Sequence, residues 1–189
     1  MIILASTSPR RKEILAAILG DTPFEVVPSN FDERALKEKD LRKLCLEESI
    51  GKGKNVSLSH PGDVVIASDT MVLFRNKQIG KPKDEKDALE TLRMLQGNTH
   101  EIVTAYCILR NGKSLAENIV TAELAIEKMA DREIELYIET GSPLDKAGSY
   151  GVQDKDFITS KIVSGDESTI MGLPRFELAM DLRRLGILK

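Results

Sequence analysis

The chain has 189 residues, a formal net charge of −3, only 4% aromatic residues and no tryptophan. That length accommodates one domain with a substantial core. The absence of a cationic field and of stacking rings argues against a nucleic-acid or lipid-surface binder, and no apolar run is long enough to span a membrane.

Ile2-Ile3-Leu4-Ala5 predicts a short strand that turns through Ser6-Thr7-Ser8-Pro9 into a helix. With no basic stretch before it, this apolar start is not expected to act as a signal peptide. Ser8 is the expected N-cap and Pro9 the first helical residue. Ile14, Leu15, Ile18 and Leu19 supply an apolar face, and Gly20 the stop. Arg10, Arg11 and Lys12 stand in the first turn, where the helix dipole already carries partial positive charge. An anion resting on the free N–H groups and between the arginines would reverse that local cost. The strand–turn–helix is therefore a candidate phosphate site.

Phe24-Glu25-Val26-Val27 reads as a second strand, followed by a loop holding Phe31-Asp32-Glu33-Arg34. Asp40 caps a helix reaching about Val56, with Leu41, Leu44, Cys45 and Ile50 inward. Val64-Val65-Ile66-Ala67 reads as a buried strand ending at Ser68-Asp69-Thr70. Met71-Val72-Leu73-Phe74 continues extended, and Asn76-Lys77 marks a turn before Gly80-Lys81-Pro82. Asp84 begins a helix carrying Ala88, Leu89, Leu92 and Leu95, closed by Gly97. Two long strands, 102–110 and 114–127, meet at Asn111-Gly112, a strong hairpin signal. Asp131 caps a helix ending at Gly141, a polar loop covers 145–153, and Phe157 to Val163 is a further strand. Met171-Gly172-Leu173-Pro174 leads into a last helix that Gly186 ends. Strands alternating with helices around a central antiparallel hairpin predict a mixed α/β sheet protein, one domain over 1–189 with two lobes and a cleft.

Cys45 and Cys107 form no CxxC pair and are expected to be thiols in a reducing cytoplasm. His60 and His100 do not have zinc-ligand spacing, and each is expected at the surface or in a supporting role. Neither Gly51-Lys52 nor Gly80-Lys81 belongs to a Walker A motif. The chemistry must therefore come from carboxylates and cations at element ends. Asp69, at the close of an apolar strand, is placed where α/β sheets gather ligands. With Glu33 or Asp32 from the loop it would hold a hard divalent cation against phosphate oxygens. Lys52, Lys54 and Lys81 are candidate counter-charges for a polyphosphate, with Arg10 and Arg11 as forked partners. Each lysine taken alone reads better as a solvated surface charge, so the argument rests on the set.

Ser6-Thr7-Ser8-Pro9-Arg10-Arg11, Asp32-Glu33, Lys52, Ala67-Ser68-Asp69-Thr70, Gly80-Lys81-Pro82, Gln96-Gly97-Asn98-Thr99-His100, 143–153 and Gly172-Leu173-Pro174 occur in that order. This series closely resembles the Maf family of nucleoside triphosphate pyrophosphatases across nearly the whole chain. The resemblance implies a Maf/ITPase-like α/β fold, an elongated mixed sheet flanked by helices with two lobes around a central nucleotide cleft. It implies a cytoplasmic homodimeric hydrolase that yields a nucleoside monophosphate and pyrophosphate with a divalent metal (Mg, Mn or Co). Asp69 would be the proton acceptor, with Lys52 and Lys81 catalytic and Glu33 and Asp69 on the metal. Ser6, Ser8, Arg10 and Arg11 would bind the substrate phosphates.

Arg10, Thr70 and Gln153 match the branch acting on dTTP and UTP, with modified pyrimidine nucleotides as a further substrate class. A link to cell division arrest is a secondary role in that family, and a nucleotide-binding regulator without turnover is the alternative from another class. The Gln153 amide presents a donor and an acceptor together, which suits the imide N–H and carbonyl of uracil or thymine. One departure stands out: the family usually has glycine after that glutamine, and this chain has Asp154, followed by Lys155 and Asp156. Three acidic or basic side chains in a row are expected to alter the loop and to make the base end of the cleft more acidic.

Overall fold

The computed structural model describes residues 1–33 and 36–188. The elements in chain order are β1 (Ile2–Leu4), α1 (Pro9–Leu19), β2 (Phe24–Val26), α2 (Leu41–Ser57), β3 (Val64–Phe74), β4 (Lys77–Ile79) and α3 (Glu85–Leu95). There follow β5 (Thr99–Arg110), β6 (Lys113–Ile126), α4 (Asp131–Glu139), β7 (Ser160–Ser164), α5 (Glu167–Ile170) and α6 (Arg175–Arg184). Hydrogen bonding orders the strands β2-β1-β3-β5-β6-β7, with β4 on β3, so the fold is a mixed α/β sheet flanked by helices. Contacts divide the chain into two compact units. Unit 1 comprises Met1–Thr70, Thr104–Val120 and Ser168–Lys189; unit 2 comprises Met71–Val103 and Thr121–Glu167. The long strands β3, β5 and β6 each contribute residues to both.

In unit 1, β1 pairs in parallel with β2 and with β3, Ile2 opposite Phe24 on one side and Val64 on the other. The period-two alternation of strand side chains sorts its apolar residues onto two faces. Ile2, Leu4, Val64 and Ile66 join Leu15 and Leu19 of α1 and Leu178 and Leu182 of α6 in one core. Ile3, Ala5, Val65 and Ala67 join Cys107, Leu109 and Val56 of α2 in the other. Helix α1 starts as its sequence dictates: Ser8 Oγ accepts from Arg11 N at 3.4 Å, Pro9 opens the helix and Gly20 closes it at φ 57°. Such a cap is worth about 1 kcal/mol. Helix α2 begins at Asp40, whose carboxylate accepts from the N–H groups of Arg42 and Lys43.

Unit 2 is built on antiparallel pairs, β4 with β3 (Val72 opposite Ile79) and β7 with β6 (Leu124 opposite Ile162). Ala88, Leu92 and Leu95 of α3 and Ile134, Tyr137 and Ile138 of α4 are buried where the two helices pack together. The segment after α4 forms two short 3-10 turns, Ser142–Asp145 and Ala147–Ser149.

Several boundaries differ from the sequence expectations. Residues 64–74 are one unbroken strand, so Ser68-Asp69-Thr70 lies in its middle and not at its end. The polar triplet is tolerated there because partners remote in sequence satisfy it, as described below. Strand β4 was not expected. A two-residue turn creates it, with Arg75 and Asn76 at φ 50° and 60°, left-handed values that Asn accepts more readily than most residues. Strand β7 starts at Ser160 and not at Phe157, because the N–H groups of Phe157 and Ile158 are turned back onto the carbonyl of Asp154. Asp131 is the first residue of α4 and not its cap; the preceding Ala130 N–H donates to Glu133 Oε2 at 2.6 Å. His100 is buried, 3% exposed. Arg34, at the end of the expected loop, lies outside the described residues.

Candidate active site

The face of α2 formed by Cys45, Glu48 and Lys52 (spacings of three and four) is turned onto the middle of β3. Two glycines in α2 make that approach close, although each glycine inside a helix costs about 1 kcal/mol relative to alanine. A Cβ on Gly53 would overlap Leu109 Cδ1 and press on Cys107 Sγ at 3.1 Å and Ala67 Cβ at 3.2 Å. A Cβ on Gly51 would overlap the ring of Phe31, which packs flat on that bare backbone. Phe31 thereby brings the loop ahead of α2, and with it Glu33, to the same place.

The result is a compact ionic cluster. Lys52 Nζ donates to Asp69 Oδ1 at 2.5 Å and pairs with Glu33 Oε1 at 2.6 Å. Cys45 Sγ donates to Asp69 Oδ2 at 3.8 Å. Glu33, Glu48 and Asp69 each offer a carboxylate oxygen, and the three lie within 4.8 Å of one another. Burial pushes the Glu48 carboxyl well above the usual carboxylate range, and its hydrogen bond with Asp69 and the charges of Asp69 and Glu33 push it further. Burial works against the Lys52 ammonium, but the Asp69 charge and hydrogen bonds to Asp69 and Glu33 outweigh it, so its pKa is raised. Burial, then the Asp69 charge, pushes the Cys45 thiol up, so it stays a neutral donor.

Beside this cluster Arg11 closes the site from the α1 side. Its Nε donates to the Gly172 carbonyl at 2.9 Å, Nη1 to the Ser68 carbonyl at 2.7 Å and Nη2 to Thr70 Oγ1 at 3.0 Å. Gly172 sits at φ 102°, and a Cβ there would come within 3.0 Å of both Arg11 Nε and Thr70 Oγ1, so glycine is required twice over. Ser68 Oγ lies 2.8 Å from the carbonyls of Ala105 and Gly172. Thr104 Oγ1 donates to the Thr169 carbonyl at 2.7 Å and lies 3.0 Å from Thr70 Oγ1. These bonds are what allow three polar residues in a row inside β3. They also account for the cationic first turn of α1: one of its three cations is folded inward onto carbonyl oxygens. Burial lowers the Arg11 pKa, and the nearby Asp69 charge opposes that shift.

Unit 1 therefore brings together Ser6, Ser8, Arg11, Glu33, Lys52, Asp69 and Thr70. Ser6 Oγ accepts from Ser8 N at 3.2 Å. Arg10 is half-buried one residue from the clamp. Asp32 and Lys54 are exposed, and the metal cluster takes Glu33 of the Asp32/Glu33 pair. Lys81 and Gln153 belong to unit 2, both exposed. There the Gly148 N–H donates to the Gly80 carbonyl at 3.1 Å, tying the segment before Lys81 to the turn that precedes Gln153.

Glu48 was missed by the sequence reading. In a helix that also carries Glu47, nothing in composition separates the exposed acid from the buried one. The spacing of Cys45, Glu48 and Lys52 on one face was the available signal.

Three carboxylates converging on a point are a hard-oxygen donor set, suited to a divalent cation such as Mg or Mn. Glu48 resists ionisation beside the charges of Asp69 and Glu33, and a cation bound there would favour its charged form.

A family model described as "Maf-like protein" matches residues 1–185. A "dTTP/UTP pyrophosphatase" of Pyrococcus horikoshii is 40% identical over 186 residues, 98% of this chain and 97% of that protein. One of the same name from Anaeromyxobacter dehalogenans (strain 2CP-1) is 40% identical over 188 residues, 98% of this chain and 94% of its own length. Among solved structures, a HAM1 protein from Coxiella burnetii superposes with a TM-score of 0.50 at 15% identity, covering 97% of this chain and 98% of its own, a likeness of fold. On the family match and these two relatives, the chain belongs to the Maf-like protein family.

Proposed function

We propose that this chain is a dTTP/UTP pyrophosphatase, hydrolysing these nucleotides to the monophosphate and pyrophosphate. The observation that carries the reading is the buried Asp69 carboxylate, held by Lys52 and set between two further carboxylates beside the Arg11 clamp. It agrees with what both relatives are named for.

Asp69 takes the proton of the attacking water. Its two oxygens accept from Lys52 and Cys45, which fixes the carboxylate plane before substrate arrives. Lys52 pairs with both Asp69 and Glu33 and so holds the two carboxylates side by side. Glu33, Glu48 and Asp69 are the residues that would hold a divalent cation, Mg, Mn or Co. When bound, that cation supplies charge neutralisation at the triphosphate. Ser6, Ser8, Arg10 and Lys81 donate to phosphate oxygens, where charge builds as the anhydride breaks. Arg11, whose donors are largely committed within unit 1, adds positive field and holds β3 in place. Arg10, Thr70 and Gln153 select the base, Gln153 by its paired donor and acceptor. The reading extends to a homodimer in the cytoplasm. No described helix is long and apolar enough to cross a membrane.

The test is pyrophosphate release from dTTP, UTP, CTP, dATP and GTP with Mg or Mn, repeated in ¹⁸O-water. Release from dTTP and UTP, with the label showing which phosphorus water attacks, supports the assignment. Asp69→Asn is expected to lower kcat by a factor of about 10³ or more while remaining folded. A folded Asn variant with normal turnover removes Asp69 from the reaction. Nucleotide binding without any release from the wild-type chain makes it a regulator and not an enzyme.

A further inference from the structure

Asp154, the residue that departs from the family pattern, does not stand as a loose negative charge in its loop. Its Oδ2 accepts from Tyr137 Oη at 2.6 Å and from Ser142 Oγ at 2.7 Å. Ser142 Oγ in turn accepts from Lys146 Nζ at 3.0 Å. Tyr137 Oη, having donated to Asp154, accepts the Gly151 N–H at 2.9 Å. A continuous run of donors thus links Lys146 through Ser142, Asp154 and Tyr137 to the backbone of Gly151, all within unit 2. Tyr137 is fully buried and stacks on Phe157, ring centroids 5.6 Å apart at 16°. The backbone of Asp154 closes the same turn, its N–H donating to the Gly151 carbonyl at 3.0 Å.

The link to Gln153 is steric. A Cβ on Gly151 would lie 2.5 Å from Gln153 Nε2, 2.8 Å from Gln153 Cδ and 2.9 Å from Asp154 Oδ2. The Gln153 carboxamide and the Asp154 carboxylate therefore rest on the same bare α-carbon. Whatever fixes Gly151 fixes the surface against which the amide lies.

We propose that Asp154 and Tyr137 are positioning residues for substrate specificity: by clamping the Gly151 backbone they hold the Gln153 amide in the orientation that reads the pyrimidine edge. The inference rests on the base-reading role given to Gln153 above. An aspartate after the glutamine replaces the conformational freedom of a glycine with a hydrogen-bonded anchor. An amide held in one rotamer pays less ordering entropy when a base binds, so the clamp acts on KM and leaves the chemical step alone.

Tyr137→Phe keeps the ring stack and deletes the hydroxyl that joins Gly151 to Asp154. Asp154→Ala deletes the anchor, and Asp154→Asn retains an oxygen that accepts from Tyr137 and Ser142. Steady-state kinetics with UTP, dTTP and CTP on these variants and on Gln153→Ala decide the matter. Tyr137→Phe and Asp154→Ala are expected to raise KM for UTP and dTTP about tenfold at unchanged kcat and to narrow the preference over CTP. Asp154→Asn is expected to restore most of the wild-type KM, and the Gly151 amide is expected to lose exchange protection in Tyr137→Phe. If Gln153→Ala raises KM but Tyr137→Phe and Asp154→Ala do not, the positioning role is wrong. If Gln153→Ala itself leaves KM and base preference untouched, the base-reading role fails and the clamp's function falls with it.

Discussion

Lowering the pH should loosen unit 2 through a single buried imidazole. His100 is 3% exposed, its Nε2 lies 2.6 Å from Tyr150 Oη, and its Nδ1 has no partner among the described residues. An imidazolium would need two acceptors and would find at most one. Burial accordingly lowers the His100 pKa from 6.5 to about 4. The sign follows from the unfolded chain binding the proton more readily than the folded one. The contribution is fully present above pH 6.5, shrinks as pH falls, and is gone once pH passes below the folded value. Over that window the loss has a slope of up to about 1.4 kcal/mol per pH unit. Between pH 7 and pH 5 it amounts to about 2 kcal/mol, a large share of an ordinary domain's stability.

The assay is unusually clean because the chain has only two histidines, His60 and His100. A proton NMR titration shows two imidazole signals, one of which should stay at its neutral position to well below pH 5. Urea unfolding of wild type and His100→Gln, compared at pH 7 and pH 5, isolates the linkage from the carboxylates that both proteins share. A His100 signal that titrates near 6.5, or a wild-type-minus-variant difference that is flat with pH, refutes the reasoning.

Glu48→Gln keeps the shape of the side chain and removes a carboxyl that a bound cation would hold ionised. It is expected to raise the Mn concentration for half-maximal pyrophosphate release about tenfold, with little change in saturated kcat; an unchanged metal dependence would mean that Glu48 is not a ligand. Gly53→Ala should cost about 2 kcal/mol in unfolding free energy, because overpacking against Leu109, Cys107 and Ala67 exceeds the gain in helix propensity. A variant as stable as wild type would show that α2 is free to retreat from the sheet.

Local signals were legible in the sequence and remote ones were not. Ser8, Pro9 and Gly20 delimit α1, Asp40 starts α2, and Asn111-Gly112 turns the hairpin with φ 53° and 72°. Each of these is decided by the backbone chemistry of neighbouring residues. The interior position of Asp69 in β3 was not legible, since Ser68 and Thr70 depend on Arg11, Thr104 and Gly172, residues 34 to 104 positions away. The same reason hid the inward turn of Arg11, which on sequence alone reads as an outward phosphate ligand. Asp154 is legible as a departure from the pattern, but its partners Tyr137 and Ser142, 17 and 12 positions away, are not.

The Lys52 ammonium between Glu33 and Asp69 bears on how the protein folds. Many metalloproteins assemble their ligands only when the ion arrives, so that chelation unfolds them. Here a covalently attached cation already compensates two of the converging carboxylates, and Glu48 relieves the remaining repulsion by holding its proton. The cluster can therefore form during folding with no ion at hand. If a cation held there serves the reaction, a chelator should lower activity and leave the thermal midpoint nearly where it was; catalysis would then follow metal supply while the amount of folded protein would not.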